Sequence, residues 1–424
     1  MNISSKGLAV AVLVAGGLIV AAYNFGSKQE QAAPSNAVPS APPLAGATEM
    51  PPGHPTTMPG HPTTTGTSGV PAVDLLPAQP ANNAKFAHFR VGQRNVKGML
   101  ADGDEVWVGT SGGVIRYDLK TNDYKLYDVK NNSLISNGVF HVSKLGGKIM
   151  VGTYGGGLSV YTPETDQWQN YNIPDGLADQ FVYDIVEADN GDYWIATWSG
   201  VNRVPNGDFS DTSKWETFTV ENTQGGLPND WVYSVAAGKD GDIWFATEGG
   251  LALYRNKQWT NWQHDAGLGA PYEKVKDDVA FSNDPAESSK HHAQQKAEQG
   301  LSDIKVGYNP NYIVSMIVDE DGVVWAGTWG AGLSRFDGKT WKTYTVKEGL
   351  PGNHIFMLHK SPGGEMWIGT NKGLARQNAN ENGFRVMTKA DGLFANNVFS
   401  LAEASDGSLW VGSFGGVARI TDYN

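Results

Sequence analysis

The chain has 424 residues, of which 40% are hydrophobic, and its formal net charge is −12 at pH 7. An excess of acidic side chains argues against a protein that binds nucleic acid, because such proteins present a basic surface. The sequence contains no cysteine, which excludes disulfides, thiolate metal sites, c-type haem attachment and a lipid-modified cysteine.

Residues 1–26 contain one apolar segment, from Gly7 to Ala22, that follows Lys6. A run of this length behind a positive charge predicts a signal peptide or a membrane anchor, and Val20-Ala21-Ala22 suits a cleavage site. Either alternative places the remainder of the chain outside the cytoplasm. We therefore expect a periplasmic protein tethered to the cytoplasmic membrane, or an exported one if the segment is cleaved.

Residues 27–84 are rich in Pro, Ala, Thr, Ser and Gly and contain few bulky apolar side chains. Such a segment buries too little apolar surface to fold, so we predict a flexible, disordered linker. A short duplication inside it carries two Met and two His residues, which are candidates for copper or haem contact: Met50, His54, Met58 and His61. The alternative, which we favour, is a repeated low-complexity sequence that binds no cofactor.

Seven copies of one short motif occupy the rest of the chain. Each copy has Trp or Met, an apolar residue, Gly or Ala, and then Thr or Ser. The copies begin at Trp107, Met150, Trp194, Trp244, Trp325, Trp367 and Trp410, at steps of 43, 44, 50, 81, 42 and 43 residues. A period near 40 residues with strand-like contents predicts a radial array of four-stranded sheets, a β-propeller.

Each copy divides into strands that are joined by Gly-rich turns. In five copies the fourth, outer strand has two aromatic residues three positions apart, and Phe384 with Met387 is a weaker sixth pair. The seventh outer strand is missing after the last motif, but Phe86-Ala-His-Phe89 has a matching pattern near the start of the repeat region. The sequence therefore predicts an all-β, seven-bladed β-propeller over residues 85–424, closed by an N-terminal outer strand. An N-terminal apolar helix and the disordered linker precede it.

The 81-residue step between Trp244 and Trp325 contains an insertion at about 269–309. Asp284-Pro285 predicts the start of a polar helix over residues 286–299. We expect its two adjacent histidines, His291 and His292, to lie on a solvated helix face. Insertions of this length in a regular fold often act as a lid or a partner contact. The insertion at about 269–309 lies in a connection from an outer strand to the next inner strand. This connection should place the insertion over the mouth of the central channel.

Two sets of positions are predicted at the channel mouth, one just after each motif and one just before each inner strand. Their aromatic and histidine members are Tyr154, Trp198, Trp329, Phe414, Phe181, Trp231, Tyr312 and His354. Together with neighbouring amide side chains they predict a binding site for a sugar or an extended peptide. The alternative is that these aromatics cover blade edges while the amides cap turns.

Two segments resemble a known repeat. Leu350-Pro-Gly-Asn353-His-Ile355, followed by Gly363-Gly364, Trp367-Ile-Gly-Thr370, Gly373-Leu374 and Arg376, resembles the two-component regulator propeller repeat, and the unit recurs from Leu227 to Thr247. The resemblance implies an extracytoplasmic sensor propeller, which in that family is often joined to kinase and regulator domains and associated with polysaccharide-derived signals. No such domain is recognisable in this sequence, so we expect a stand-alone propeller with a binding role.

The leading functional hypothesis is a non-enzymatic recognition or scaffold propeller that binds a polysaccharide, peptide or protein partner at the channel mouth. One alternative is a lyase or hydrolase that acts on a polymer. Its ionisable candidates at the mouth are scattered over different blades: Arg94, Asp230, Glu248 and His354. The other alternative is an accessory factor in metal or haem-protein assembly, which depends on the Met and His residues of the linker.

Overall fold

The computed structural model describes residues 86–279, 284–377, 383–421 and 423. The predicted anchor over 1–26 and the linker over 27–84, with its Met50, His54, Met58 and His61, lie outside these residues. Within the described ranges, no helix combines the length and the apolar character that are needed to cross a membrane.

The strands follow the chain in groups of four until the last pair. The first two groups are β1 (Phe86–Asp102), β2 (Glu105–Thr110), β3 (Gly113–Asp118), β4 (Tyr124–Tyr127), β5 (Val139–Leu145), β6 (Lys148–Thr153), β7 (Leu158–Thr162) and β8 (Gln167–Tyr171). The next two groups are β9 (Val182–Glu187), β10 (Tyr193–Thr197), β11 (Gly200–Val204), β12 (Glu216–Phe218), β13 (Val232–Ala237), β14 (Ile243–Thr247), β15 (Gly250–Arg255) and β16 (Gln258–Trp262). The remaining strands are β17 (Asn309–Val318), β18 (Val324–Trp329), β19 (Leu333–Phe336), β20 (Trp341–Tyr344), β21 (Ile355–Lys360), β22 (Met366–Thr370), β23 (Gly373–Gln377), β24 (Phe384–Met387), β25 (Val398–Glu403) and β26 (Leu409–Ile420).

The helices of the described residues are short. Three α-helices lie between β16 and β17, namely α1 (Tyr272–Val275), α2 (Pro285–Ser288) and α3 (Lys290–Glu298). Single 3₁₀ turns occupy Ile173–Asp175, Pro205–Gly207, Thr212–Lys214, Lys239–Gly241, His264–Ala266, Val346–Glu348 and Lys389–Asp391. The single helix predicted over residues 286–299 is thus divided into α2 and α3, because Ser289 is extended and caps α3.

The sheets form a closed all-β propeller. Five antiparallel sheets have four strands each, namely β5–β8, β9–β12, β13–β16, β17–β20 and β21–β24. A sixth sheet has six strands in the order β25-β26-β1-β2-β3-β4. The first strands of neighbouring sheets contact one another from β5 to β21, and contacts among β21, β25, β1 and β5 close the ring around a central channel.

The prediction of seven four-stranded blades is wrong. Five sheets are four-stranded blades, and the other strands form one continuous six-stranded sheet. The cause is β1, which runs unbroken through the junction that the repeat predicts between two blades. Residues 86–90 of β1 pair with Gly416–Ile420, and residues 96–102 of the same strand pair with β2. The predicted partner of Phe86–Phe89, the last strand of the chain, is the one observed.

The repeated motif is explained by packing within and between the sheets. Its tryptophans are buried; Trp107 and Trp367 are 1% and 0% exposed. The third position must be small, because a Cβ on Gly109 would lie 2.5 Å from Val139 Cγ1 of the next sheet. The fourth position closes the following turn: Thr110 Oγ1 donates to the Gly113 carbonyl at 2.9 Å. Each copy thus forms one blade and also fits it against its neighbour.

Candidate binding site in the central channel

Each strand that faces the channel carries a β-bulge. In β5, Val139 pairs with Thr153 and His141 pairs with Gly152, which leaves Phe140 without a partner in the ladder. The equivalent residues, here called the channel belt, are Lys97, Phe140, Tyr183, Tyr233, Val314, Phe356 and Phe399. A bulge redirects the side chain of its extra residue. All seven belt residues line one cavity of about 340 Å³.

The belt is mostly aromatic, and its rings contact one another around the channel. The centroids of Phe140 and Tyr183 are 4.6 Å apart, those of Tyr183 and Tyr233 are 4.9 Å apart, and those of Phe356 and Phe399 are 5.2 Å apart. Such contacts combine large apolar area with few rotatable bonds. The belt therefore gives the cavity a rigid apolar wall.

Lys97 is the one charged member of the belt. Its Nζ lies 5.1 Å from the ring centroid of Phe140 and 6.0 Å from that of Phe399. No carboxylate in the described part of the chain lies within ion-pairing distance of this amine. Burial inside the ring lowers the pKa of Lys97 from 10.5 to about 8, because the ammonium loses water without gaining a counterion.

A set of polar residues lines the cavity next to the belt. His141 Nδ1 lies 3.0 Å from Asp184 Oδ1, and Asp184 Oδ2 accepts a hydrogen bond from Ser234 Oγ at 2.7 Å. The other ring nitrogen, His141 Nε2, and the hydroxyl of Ser315 are buried and have no hydrogen-bond partner among the described residues. Unsatisfied buried polar atoms are rare in folded proteins. His141 and Ser315 line the cavity, although these two atoms are themselves shielded from solvent.

The structure divides the eight residues predicted at the mouth into two groups. Tyr154, Trp198, Tyr312 and Trp329 line the same cavity as the belt. The other four, Phe181, Trp231, His354 and Phe414, do not line it. Phe181 and Trp231 are buried behind the first group, with ring centroids 4.5 Å from Tyr154 and 3.6 Å from Trp198 respectively. The mouth thus continues into the channel as one aromatic surface.

The ionisable residues considered for catalysis at the mouth have separate partners. Asp230 Oδ1 accepts a hydrogen bond from Val220 N at 2.6 Å, and His354 Nε2 lies 2.6 Å from the Gly307 carbonyl oxygen. Burial lowers the pKa of His354 to about 3, so its imidazole is neutral at physiological pH. Arg94 packs over Gly112, where an added Cβ would lie 2.2 Å from its guanidinium carbon. These residues do not form a common site.

The insertion covers one side of the mouth through α3. The ring of His291 stacks on Trp231 with centroids 3.4 Å apart, and the ring of His292 stacks on Tyr312 at 5.7 Å. Both histidines contact Glu248, which is fully buried. Burial alone would raise the pKa of Glu248, but His292 and His291 outweigh that effect and lower it.

The expectation of a solvated face for His291 and His292 is therefore wrong. His292 is only 2% exposed, and the two rings contact different oxygens of the Glu248 carboxylate. Sequence alone did not show this contact, because Glu248 lies more than 40 positions before the histidines. The described residues contain no group of three or more His, Cys, Asp or Glu side chains suited to hold a metal ion.

Sequence analysis also missed the belt. The seven positions are equivalent in the repeats, each following the first apolar residue of an inner strand, so a comparison of the copies could have found them. Lys97 stands out in that comparison, because the other six residues are aromatic or valine. The missing information was the bulge, which directs these side chains into the channel.

The fold and the lined channel define a β-propeller with a central cavity. The family model for the two component regulator propeller matches residues 176–199, 226–249, 307–330 and 392–415. The chain therefore carries repeats of the two-component regulator propeller family. No significant match occurs among proteins with curated descriptions.

Several solved structures are similar in fold. The extracellular domain of the putative hybrid two component system BT3049 from B. thetaiotaomicron is 20% identical, with a TM-score of 0.60 over 78% of this chain and 40% of that one. The present chain thus spans less than half of that domain. A virginiamycin B lyase from Staphylococcus aureus is 12% identical, with a TM-score of 0.55 over 79% and 98% of the two chains. YCF48 bound to D1 peptide is 11% identical, with a TM-score of 0.52 over 81% and 99%.

Proposed function

We propose that this protein is a recognition propeller that binds its ligand inside the central channel rather than only at the mouth. The observation that carries the proposal is the channel belt, whose seven side chains line one cavity of about 340 Å³. Ligand sites in proteins are concave and mainly apolar, with a few placed polar groups. Lys97 and the His141–Asp184 pair supply polar side chains in the same lining.

The size of the cavity limits the ligand. A volume of about 340 Å³ suits a small molecule or the end of an extended chain, because small-ligand pockets start near 300 Å³. A folded partner or a polysaccharide would contact the mouth residues Tyr154, Trp198 and Trp329 and insert at most one terminal unit. The proposal therefore narrows the partner to a small molecule or a chain end.

The proposed location is outside the cytoplasm, with the membrane contact made through residues 1–26. Two observations support it. The N-terminal apolar segment has the pattern of a signal peptide or anchor, and the chain carries repeats of the two-component regulator propeller family. Protease treatment of intact and osmotically opened cells tests it, since a cytoplasmic protein would stay protected until the inner membrane is broken.

The channel site is tested with one belt variant and a matched control. Tyr183→Leu removes a ring that lines the cavity, whereas Tyr254→Leu removes a part-buried ring of β15 that packs against Trp194 of the neighbouring blade. Screening small acids, peptides and glycans by tryptophan fluorescence should identify a ligand, since Trp198 and Trp329 line the same cavity. We expect Tyr183→Leu to weaken its binding at least about tenfold and Tyr254→Leu to leave it unchanged. Equal binding by both variants would place the ligand elsewhere.

A second candidate function is catalysis, and the His141–Asp184 pair favours it. The Asp184 carboxylate holds one ring nitrogen of a histidine that lines the cavity, which is an arrangement found in general bases. His141→Gln should then abolish turnover of a ligand but preserve its binding. If the ligand is recovered unchanged after prolonged incubation with the intact protein, the recognition role stands alone.

A further inference from the structure

We propose that the channel takes an organic monocarboxylate with an apolar body, and that Lys97 binds its carboxylate. This inference rests on the proposed function and names the chemical class of the ligand. The carboxylate would come from a free acid or from the C-terminal residue of a peptide, since both present the same group.

The first argument is the unmatched charge of Lys97. The one carboxyl group in the cavity lining belongs to Asp184, and it is engaged by His141 and Ser234. The contacts that the Lys97 ammonium makes are with the faces of Phe140 and Phe399. An ammonium in such a site is costly unless an anion pairs with it. A ligand carboxylate supplies that anion.

The second argument is the number of available donors. One ammonium matches a single negative charge, whereas a phosphate carries about −1.5 to −2 at neutral pH and usually needs several cationic or backbone donors. No arginine lines the cavity. The site therefore favours a carboxylate over a phosphate.

The third argument is the apolar wall. Phe140, Phe356, Phe399 and Val314 offer no side-chain hydrogen bonds, so a sugar ring enclosed by them would lose hydration without replacement. An aromatic or branched aliphatic body gains area against the same rings.

The experiment is isothermal titration of the full chain with four probes at pH 7. They are 3-phenylpropionate, 3-phenylpropionamide, a peptide that ends in Phe with a free carboxylate, and its C-terminal amide. We expect one or both acids to bind and each matching amide to bind at least about tenfold more weakly, as for a charge-assisted hydrogen bond. Binding by one acid alone decides between the free acid and the chain end. Glucuronate and inorganic phosphate should bind more weakly than either acid.

Variants at Lys97 test the anchor. Lys97→Met should lose at least about tenfold in acid affinity, and Lys97→Arg should retain part of it, with folding of both verified by circular dichroism. Lys148→Met, at an exposed position in β6, is the matched control and should bind as the wild type does. The affinity of the wild type should fall above pH 8, where the free Lys97 amine loses its proton.

The outcomes separate this inference from the proposed function. If acids and amides bind equally and Tyr183→Leu weakens the binding of both, the channel site is supported and the carboxylate anchor is overturned. Tighter binding of glucuronate or phosphate, or unchanged affinity in Lys97→Met, would overturn the anchor as well. If no probe binds, the carboxylate inference fails, and the ligand screen with Tyr183→Leu still decides the proposed function.

Discussion

Replacing Lys97 by methionine should stabilise the folded protein, although it removes the proposed ligand contact. Burial lowers the pKa of Lys97 from 10.5 to about 8, which corresponds to at most about 3 kcal/mol against the charged side chain in the folded state. Methionine has a similar length and carries no charge, so it keeps the volume and removes this cost. For roughly 340 folded residues, 3 kcal/mol raises the midpoint temperature by about 4 °C.

The pH dependence distinguishes this cause from better packing. Between the folded pKa of about 8 and the unfolded value of 10.5, the unfolded state binds more protons, so the stability of the wild type rises with pH. The penalty is complete below about pH 8 and absent above about 10.5. The advantage of Lys97→Met should therefore be largest at pH 7 and small at pH 10.

Urea unfolding at these two pH values, followed by tryptophan fluorescence, measures the difference. Lys148→Met is the control, because an exposed substitution should change the free energy of unfolding by less than about 0.5 kcal/mol. A Lys97→Met variant that is less stable than the wild type at pH 7 would refute the reasoning. So would an advantage of the same size at pH 7 and pH 10.

Three further predictions concern the insertion, the repeat and the linker. Glu248→Gln should loosen α3, seen as faster hydrogen exchange over residues 290–298. The pKa of Glu248 is lowered in the folded protein, so its carboxylate stabilises the position of α3 fully above pH 4.5. In the wild type this stabilisation is lost as the pH falls below 4.5, and the same loosening should appear there. Thr370→Val should cost about 2 kcal/mol in urea unfolding, because it removes the hydrogen bonds with the Gly373 carbonyl and the Lys372 N–H. Deletion of residues 50–62 should abolish any copper or haem binding if the linker holds a cofactor, and absorption spectra before and after the deletion decide this.

Exposed residues of the same types provide the controls for the first two. Glu164→Gln and Thr165→Val lie on a surface turn and should leave exchange and stability unchanged. Exchange over α3 that is equal in Glu248→Gln and Glu164→Gln would show that the carboxylate does not hold the helix. A loss of under 0.5 kcal/mol in Thr370→Val would show that water replaces the turn hydrogen bonds.

The repeat pattern predicted local structure well. A motif of Trp, an apolar residue, Gly and Thr predicts a buried strand followed by a tight turn that a threonine closes, so that a hairpin forms. These local structures depend on only a few neighbouring residues. Trp107, Gly109 and Thr110 show each part of it. The pairing of Phe86–Phe89 with the last strand was also accessible, since one outer strand was missing at one end and present at the other.

The number of separate sheets was not accessible in this way. The number of sheets depends on whether β1 is interrupted between the segment that pairs with β26 and the segment that pairs with β2. In the structure β1 is one continuous strand. The contact between Glu248 and the histidines of α3 was inaccessible for a similar reason. It joins a turn of one sheet to an insertion that follows much later in the chain.

The amino-acid sequence by itself determined that this chain forms a β-propeller. Each copy of the motif specifies the packing of one blade, and that packing depends on residues close together in the chain. Of the eight residues that the sequence predicted for the mouth, four line the cavity. Only the tertiary structure decided which side chains enter the channel, since a bulge in each inner strand turns one residue out of the ladder. This geometry places Lys97 among aromatic side chains, where it has no carboxylate partner among the described residues.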